Sequence, residues 1–309
     1  MTTLEARPAG DDVHLLAEGP VWDGARERLL WVDIDAGDVL TGTLEGGRVR
    51  TVSRTHVDVT VGAVVPTAGG DLLVAGREVL HLLHSDGTTR EVARVLPHDS
   101  GRRLNDGACD PAGRFLVGTL SLGERTRGPG TETLHRLEHD GGLTTLDADL
   151  TLSNGLAWSP DGGVLYSADT LAGVVRARGY DPATGATGPW HAALHVTPGW
   201  PDGLRVDSAG NLWIAVWGAA QVRCHRPDGT LLHVVEVPAP HTSALAFTGP
   251  ALTTLVITTA SAELSAEQRA AQPGSGRLFT VDLAPLGVAG LPTTPWRPTP
   301  TPTPTLREH

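Results

Sequence analysis

A unit of 41 to 48 residues recurs along this chain, and that period restricts the fold more than any other feature. Each copy opens on a residue followed by glycine, runs through an alternating apolar strand to a tight turn, and closes on a second strand rich in Val, Ile, Leu and Trp. The clearest copy is Pro201-Asp202-Gly203-Leu204-Arg205-Val206-Asp207, with its turn at Ser208-Ala209-Gly210-Asn211 and its second strand at Leu212-Trp213-Ile214-Ala215. Others begin at Glu18-Gly19, Val61-Gly62, Asp106-Gly107 and Asn154-Gly155, and a sixth, without its glycine, begins at Ser243-Ala244. A near-constant period of this size, built from strands and Gly-rich turns, predicts an all-β fold: a six-bladed β-propeller with four-stranded blades.

Equivalent residues of successive blades lie on one ring around the central channel. The positions before the glycine, Glu18, Val61, Asp106, Asn154, Asp202 and Ser243, are therefore expected to face one small volume. Five of the six carry oxygen. Three carboxylates and an amide converging there would repel one another without a counter-ion, so the register predicts an oxygen-rich site for a divalent cation. Asn154-Gly155 also has the form of a hairpin turn. Its position in the repeat, with a separate Ser159-Pro160-Asp161-Gly162 turn following, favours the ring. Just upstream of Asp106, strand alternation puts Arg103 and Asn105 on a common side, either to bind a polar ligand or to let the Arg compensate the carboxylates. Asp106 is left between ligand and outer-shell acceptor.

The repeats occupy about residues 15 to 285, so the chain reads as one propeller domain over 1–295 followed by a Pro/Thr-rich, disordered tail over 296–309. His14-Leu15-Leu16-Ala17 is expected to help close the ring beside Arg277–Asp282, the segment Leu122–Thr133 to form a mobile loop near the channel mouth, and Ser265 with Gln268 to cap a short helix. A formal charge of −11 without a clustered basic face argues against a nucleic-acid partner. All 24 basic residues are Arg, which removes lysine Schiff-base and P-loop chemistry. No apolar run approaches the roughly 18 residues that cross a bilayer. Cys109 and Cys224 without a secretory leader in Met1–Gly10 give the expectation of reduced thiols in the cytoplasm.

The motifs Leu16-Ala17-Glu18-Gly19-Pro20-Val21-Trp22, Arg103-Leu104-Asn105-Asp106-Gly107, Leu152-Ser153-Asn154-Gly155-Leu156-Ala157-Trp158 and Pro201-Asp202-Gly203 with Gly210-Asn211-Leu212-Trp213 resemble the regucalcin/gluconolactonase family, which includes luciferin-regenerating enzymes. The resemblance runs to about Gly290. It implies one divalent cation held by Glu18, Asn154 and Asp202, substrate oxygens held by Arg103 and Asn105, and Asp202 as general base. One motif departs from the family: after Gly118-Thr119-Leu120 the acidic residue comes late, at Glu124.

The expected activity is hydrolysis of a small-molecule sugar lactone by water attack, with a cation polarising the carbonyl and a carboxylate taking the proton. All-oxygen ligands favour Ca²⁺, with Mg²⁺, Mn²⁺ and Zn²⁺ admitted. Two alternatives stand beside it: a promiscuous esterase or phosphotriesterase on the same metal site, and a propeller that binds Ca²⁺ or a sugar without turnover.

Overall fold

The structure, a computed structural model, describes residues 1–123 and 130–298. Six sheets are arranged as consecutive blades, their innermost strands at Ala17–Asp23, Ala63–Pro66, Arg102–Cys109, Ser153–Trp158, Trp200–Val206 and Thr242–Thr248. Each blade is an antiparallel meander from the channel outward. This is the six-bladed propeller that the period predicts, with one short α-helix among the described residues, Ala266–Ala271, capped reciprocally by Ser265 and Gln268. No helix among the described residues is long and apolar enough to cross a membrane.

Alternation along the strands puts apolar side chains on both faces of every blade. Among the described residues these sort into one buried cluster for each interface between neighbouring blades. Trp31 and Trp213 are fully buried within them. The indole N–H of Trp213 is satisfied at 2.9 Å by Asp207, whose other oxygen accepts the Ala209 and Asn211 amides of its own turn. Asp110 does the same with Ala112 and Arg114. These turn carboxylates are structural anchors that let a polar corner sit against an apolar core.

The repeated glycine has a packing cause. A Cβ on Gly155 would stand 2.5 Å from the Asp202 carbonyl oxygen, one on Gly203 2.5 Å from the Ala244 Cβ, and one on Gly62 2.6 Å from the Asn105 carbonyl oxygen. Inner strands of adjacent blades thus approach to backbone contact at the ring. At the same level, the pairing of first and second strands slips in blades 1, 3, 4, 5 and 6. Such bulges re-aim side chains, and here they flank the residues that precede the glycine. Blade 2, carrying Val61, has no slip.

Ring closure uses two segments beyond the expected one. Arg7–Pro8 supplies the outermost strand of blade 6 by pairing with Phe279–Asp282, and Thr2–Glu5 adds a fifth, parallel strand to blade 5. Residues 14–16 tie the first blade to the last, in line with the expectation: Leu16 bridges Ala260, the Leu15 carbonyl accepts the Ser261 and Ala262 amides, and the His14 amide donates to the Gly276 carbonyl. Leu15 and Leu16 donate their amides to Asp33, and His14 receives the Trp31 indole N–H on Nε2 while Nδ1 donates to the Gly276 carbonyl. The chain also stays packed past residue 295. Trp296 is buried in the interface of blades 2 and 3, and the Arg297 amide donates to the Gly113 carbonyl. Residues 299–309, and with them most of the expected tail, lie outside the described residues, as do residues 124–129 of the expected loop. Its last positions, Glu132 and Thr133, belong to a strand.

Candidate active site

One cavity of about 280 Å³ opens at the mouth of the channel where the inner strands begin. Glu18, Arg103, Asn105, Asn154 and Asp202 all line it, so the candidate ligands, base and substrate contacts other than Asp106 are brought to one place. The remaining ring positions are not. Val61 is buried among apolar side chains, and the Ser243 hydroxyl donates to the Ala17 carbonyl at 2.6 Å. Asp106 lies outside the cavity wall, its Oδ1 accepting the Gly107 amide at 2.7 Å and its charge facing Arg205. The expected convergence of three carboxylates at the mouth is thus a convergence of two, Glu18 and Asp202, with Asp106 behind them. Glu124 lies outside the described residues.

The orientation of the amides follows from their partners. The Pro201 carbonyl can only accept, so the Thr170 hydroxyl donates to it at 2.8 Å and must itself accept from Asn154 Nδ2 at 2.9 Å. That leaves Asn154 Oδ1 turned the other way, where it accepts one Asn105 N–H at 2.7 Å. The second Asn105 N–H goes to the Ser153 carbonyl at 2.8 Å, and Asn105 Oδ1 accepts from Arg103 at 2.5 Å. The chain Arg103–Asn105–Asn154–Thr170 is therefore fixed at both ends by groups that cannot reverse roles.

Electrostatics single out the two carboxylates. Glu18, with Oε2 accepting its neighbour's Gly19 amide at 2.9 Å, is pushed up to about 8 by burial and then by the charge of Asp106. Asp202 is held well above the usual carboxylate range by burial and then by Glu18 and Asp106, with Arg103 partly offsetting them. Its Oδ1 is buried without any hydrogen-bond partner. Such an orphaned oxygen is costly unless something present in the working protein satisfies it.

These observations test whether the residues suit a cation. Among the described residues no three His, Cys, Asp or Glu side chains stand together as a metal site. The ring positions at the mouth are instead two carboxylates and the amide oxygen of Asn154, which keeps a second lone pair beyond the Asn105 bond, while a third carboxylate, Glu263, lines the same cavity from outside the ring. An unpartnered buried carboxylate oxygen, two repelling carboxylates and an oriented amide oxygen fit a hard divalent ion with open positions.

Other residues of the cavity were not legible in the sequence. Thr170 orients Asn154. Leu152, Leu171, Trp200 and Trp217 form an apolar wall on blades 4 and 5, and Glu263 approaches from blade 6 with a left-handed backbone at φ 63°. A non-glycine residue held there stores strain that often accompanies a working site. Trp200 and Trp217 are register partners on neighbouring strands, and Trp217 stacks on His241 with ring centroids 4.2 Å apart.

The chain is 35% identical over 287 residues to the pentonolactonase XacC of Haloferax volcanii, covering 88% of this chain and 92% of that one. It is 30% identical over 306 residues to the regucalcin of Gallus gallus, covering 96% and 99%. Its fold superposes with a TM-score of 0.87 on a calcium-binding protein, regucalcin, from Agrobacterium tumefaciens, at 26% identity and with 96% and 98% of the two chains covered. The model of the SMP-30/Gluconolactonase/LRE-like region matches residues 16–261, more than half of the chain, and the protein therefore belongs to that family.

Proposed function

We propose that this protein is a divalent-cation-dependent lactonase that opens sugar-type lactones, with Glu18, Asn154 and Asp202 holding the cation and Asp202 doubling as general base. The observation that carries the reading is the unpartnered Oδ1 of Asp202 beside Glu18 and an oriented Asn154 oxygen in one open cavity. The names of the relatives, pentonolactonase and putative sugar lactone lactonase among them, supply the substrate class.

When bound, a hard cation would supply the Lewis acidity that polarises a lactone carbonyl, and the description of the Agrobacterium tumefaciens regucalcin as a calcium-binding protein supports Ca²⁺ as that ion. The chain's own part is positional and acid–base. Thr170 and Asn105 hold Asn154 in one orientation. Asp202, ionised once a positive charge sits beside it, takes the proton of the attacking water and returns it to the ring oxygen as the acyl C–O bond breaks. Arg103 places positive charge at the wall against which the substrate's oxygens lie. The two free thiols, Cys109 and Cys224, support a reducing, cytoplasmic location.

The test is acid release from a panel of aldonolactones, aryl esters and phosphotriesters, each with chelated and Ca²⁺-restored protein. Lactones turned over best, and only with the cation, is the predicted result. Better turnover of phosphotriesters or aryl esters supports the promiscuous hydrolase. Cation binding without any turnover supports the binding propeller.

A further inference from the structure

Resting on the lactonase reading, we infer that the wall formed by Leu152, Leu171, Trp200 and Trp217 is a subsite for an apolar substituent on the lactone ring, so that the substrates include alkyl-substituted lactones. Three observations carry it. The first is the chemistry of the wall. These four side chains, all from blades 4 and 5, line the same cavity as Glu18 and Asp202 and include both of its tryptophans.

The second is exposure. Leu171 is 48% and Trp200 46% exposed, among the few large apolar side chains left open on the described surface. They stand at a concave site next to the reacting groups, not scattered over convex surface. Apolar groups left in water at such a place are stabilised by whatever apolar surface covers them. Their support is rigid: Trp217 is stacked on His241, whose Nδ1 is within hydrogen-bonding distance of the Ala262 carbonyl, and the Trp200 ring lies over Gly218, where a Cβ would come within 3.3 Å of it.

The third is the commitment of the nearby polar groups. A hydroxyl on the substrate that faces this side needs a partner to replace water. Asn105 already gives both amide hydrogens to protein acceptors, and the Thr170 hydroxyl both accepts from Asn154 and donates to Pro201. The remaining acceptors of blades 4 and 5, Asn154 and Asp202, are given to the cation in the proposed site, so a substrate hydroxyl on that side finds few partners. A substituent of CH₂ groups meets the wall without that cost.

The reaction is unchanged: water adds to the acyl carbon, the acyl C–O bond to the ring oxygen breaks, and the proton passes through Asp202 to that oxygen, giving a hydroxy acid.

The experiment measures kcat/KM of the cation-loaded protein for γ-butyrolactone and its γ-methyl, γ-ethyl, γ-propyl and γ-butyl homologues. Burial of each added methylene predicts a rise of about three- to four-fold per step until the wall is covered. Trp200→Ala and, separately, Leu171→Ser flatten that slope, read as the ratio of the butyl homologue to the parent lactone. Both residues are half exposed, so both variants are expected to fold. A series that is flat or falls with chain length overturns the subsite, as do variants that lower every homologue by one common factor. Failure to hydrolyse any lactone, the aldonolactones included, sinks the lactonase reading itself and this inference with it.

Discussion

Asn105 donates an amide hydrogen to Asn154 Oδ1 at 2.7 Å, joining blade 3 to blade 4 at the channel mouth. Neither residue can be reversed. Asn105 is fixed by the acceptor-only Ser153 carbonyl and the donor-only Arg103, and Asn154 by Thr170. The oxygen proposed as a cation ligand is thus aimed by hydrogen bonds alone, without any charge being added to the site.

Thr170 is the one member of this chain proposed neither as a cation ligand nor as a substrate contact. Thr170→Val keeps the shape and removes both hydrogen bonds, so Asn154 loses the group that distinguishes its two ends. Affinity for Ca²⁺ by calorimetry is predicted to fall about 10-fold, the lower range for losing an outer-shell partner, and Thr170→Ser to restore it. Equal affinities for Val and wild type would show that Asn105 alone suffices.

The buried carboxylates give the cation-free protein a pH dependence of a definite sign. Glu18 titrates from an ordinary value of 4.5 when unfolded to about 8 when folded, so between these limits the native state holds the extra proton. Stability from this group is therefore full below the lower value and declines as pH rises toward the upper one. In EDTA, the melting temperature of Glu18→Gln is predicted to gain on wild type from pH 5 to pH 8. Comparing the two proteins cancels groups away from the cluster such as His14, which burial pushes down, while loss of the Glu18 charge also relieves Asp202 and so adds to the same trend. A constant difference across that range would contradict a buried, repelled Glu18.

Close approach of the inner strands makes its own prediction. Gly203→Ala would place a methyl 2.5 Å from the Ala244 Cβ and is expected to cost about 1–3 kcal/mol by denaturant unfolding. Gly179→Ala, at a strand end with nothing within 4 Å of the added carbon, is expected to change stability by less than about 0.5 kcal/mol. Similar losses for both would mean that the glycines serve flexibility, not contact between blades.

Much of this architecture is written into the sequence because it repeats. The period reports the blades, and the position before each glycine reports height along the channel, which is why Glu18, Asn154 and Asp202 are found without any structure. Height is not direction, however. Asp106 has the same register, yet its oxygen rests on the Gly107 amide and its charge faces Arg205, and it does not line the cavity. Trp200, Trp217 and Thr170 are invisible for another reason: they meet the site through pairing and loops that no local pattern encodes. Single short segments hide similarly. Thr2–Glu5 and Arg7–Pro8 are too short to show alternation, and a composition of Pro and Thr conceals that Trp296 is a core residue.

The central claim, that Asp202 both binds the cation and accepts the proton, is tested most directly by turnover at saturating Ca²⁺ set beside Ca²⁺ affinity for wild type and Asp202→Asn. The variant keeps an oxygen for the ion and removes the base. Turnover is predicted to fall by roughly two to four orders of magnitude even when the ion is saturating, while affinity falls much less. Activity that returns to the wild-type level at high Ca²⁺ would contradict the account, leaving Asp202 a ligand only and placing the base elsewhere.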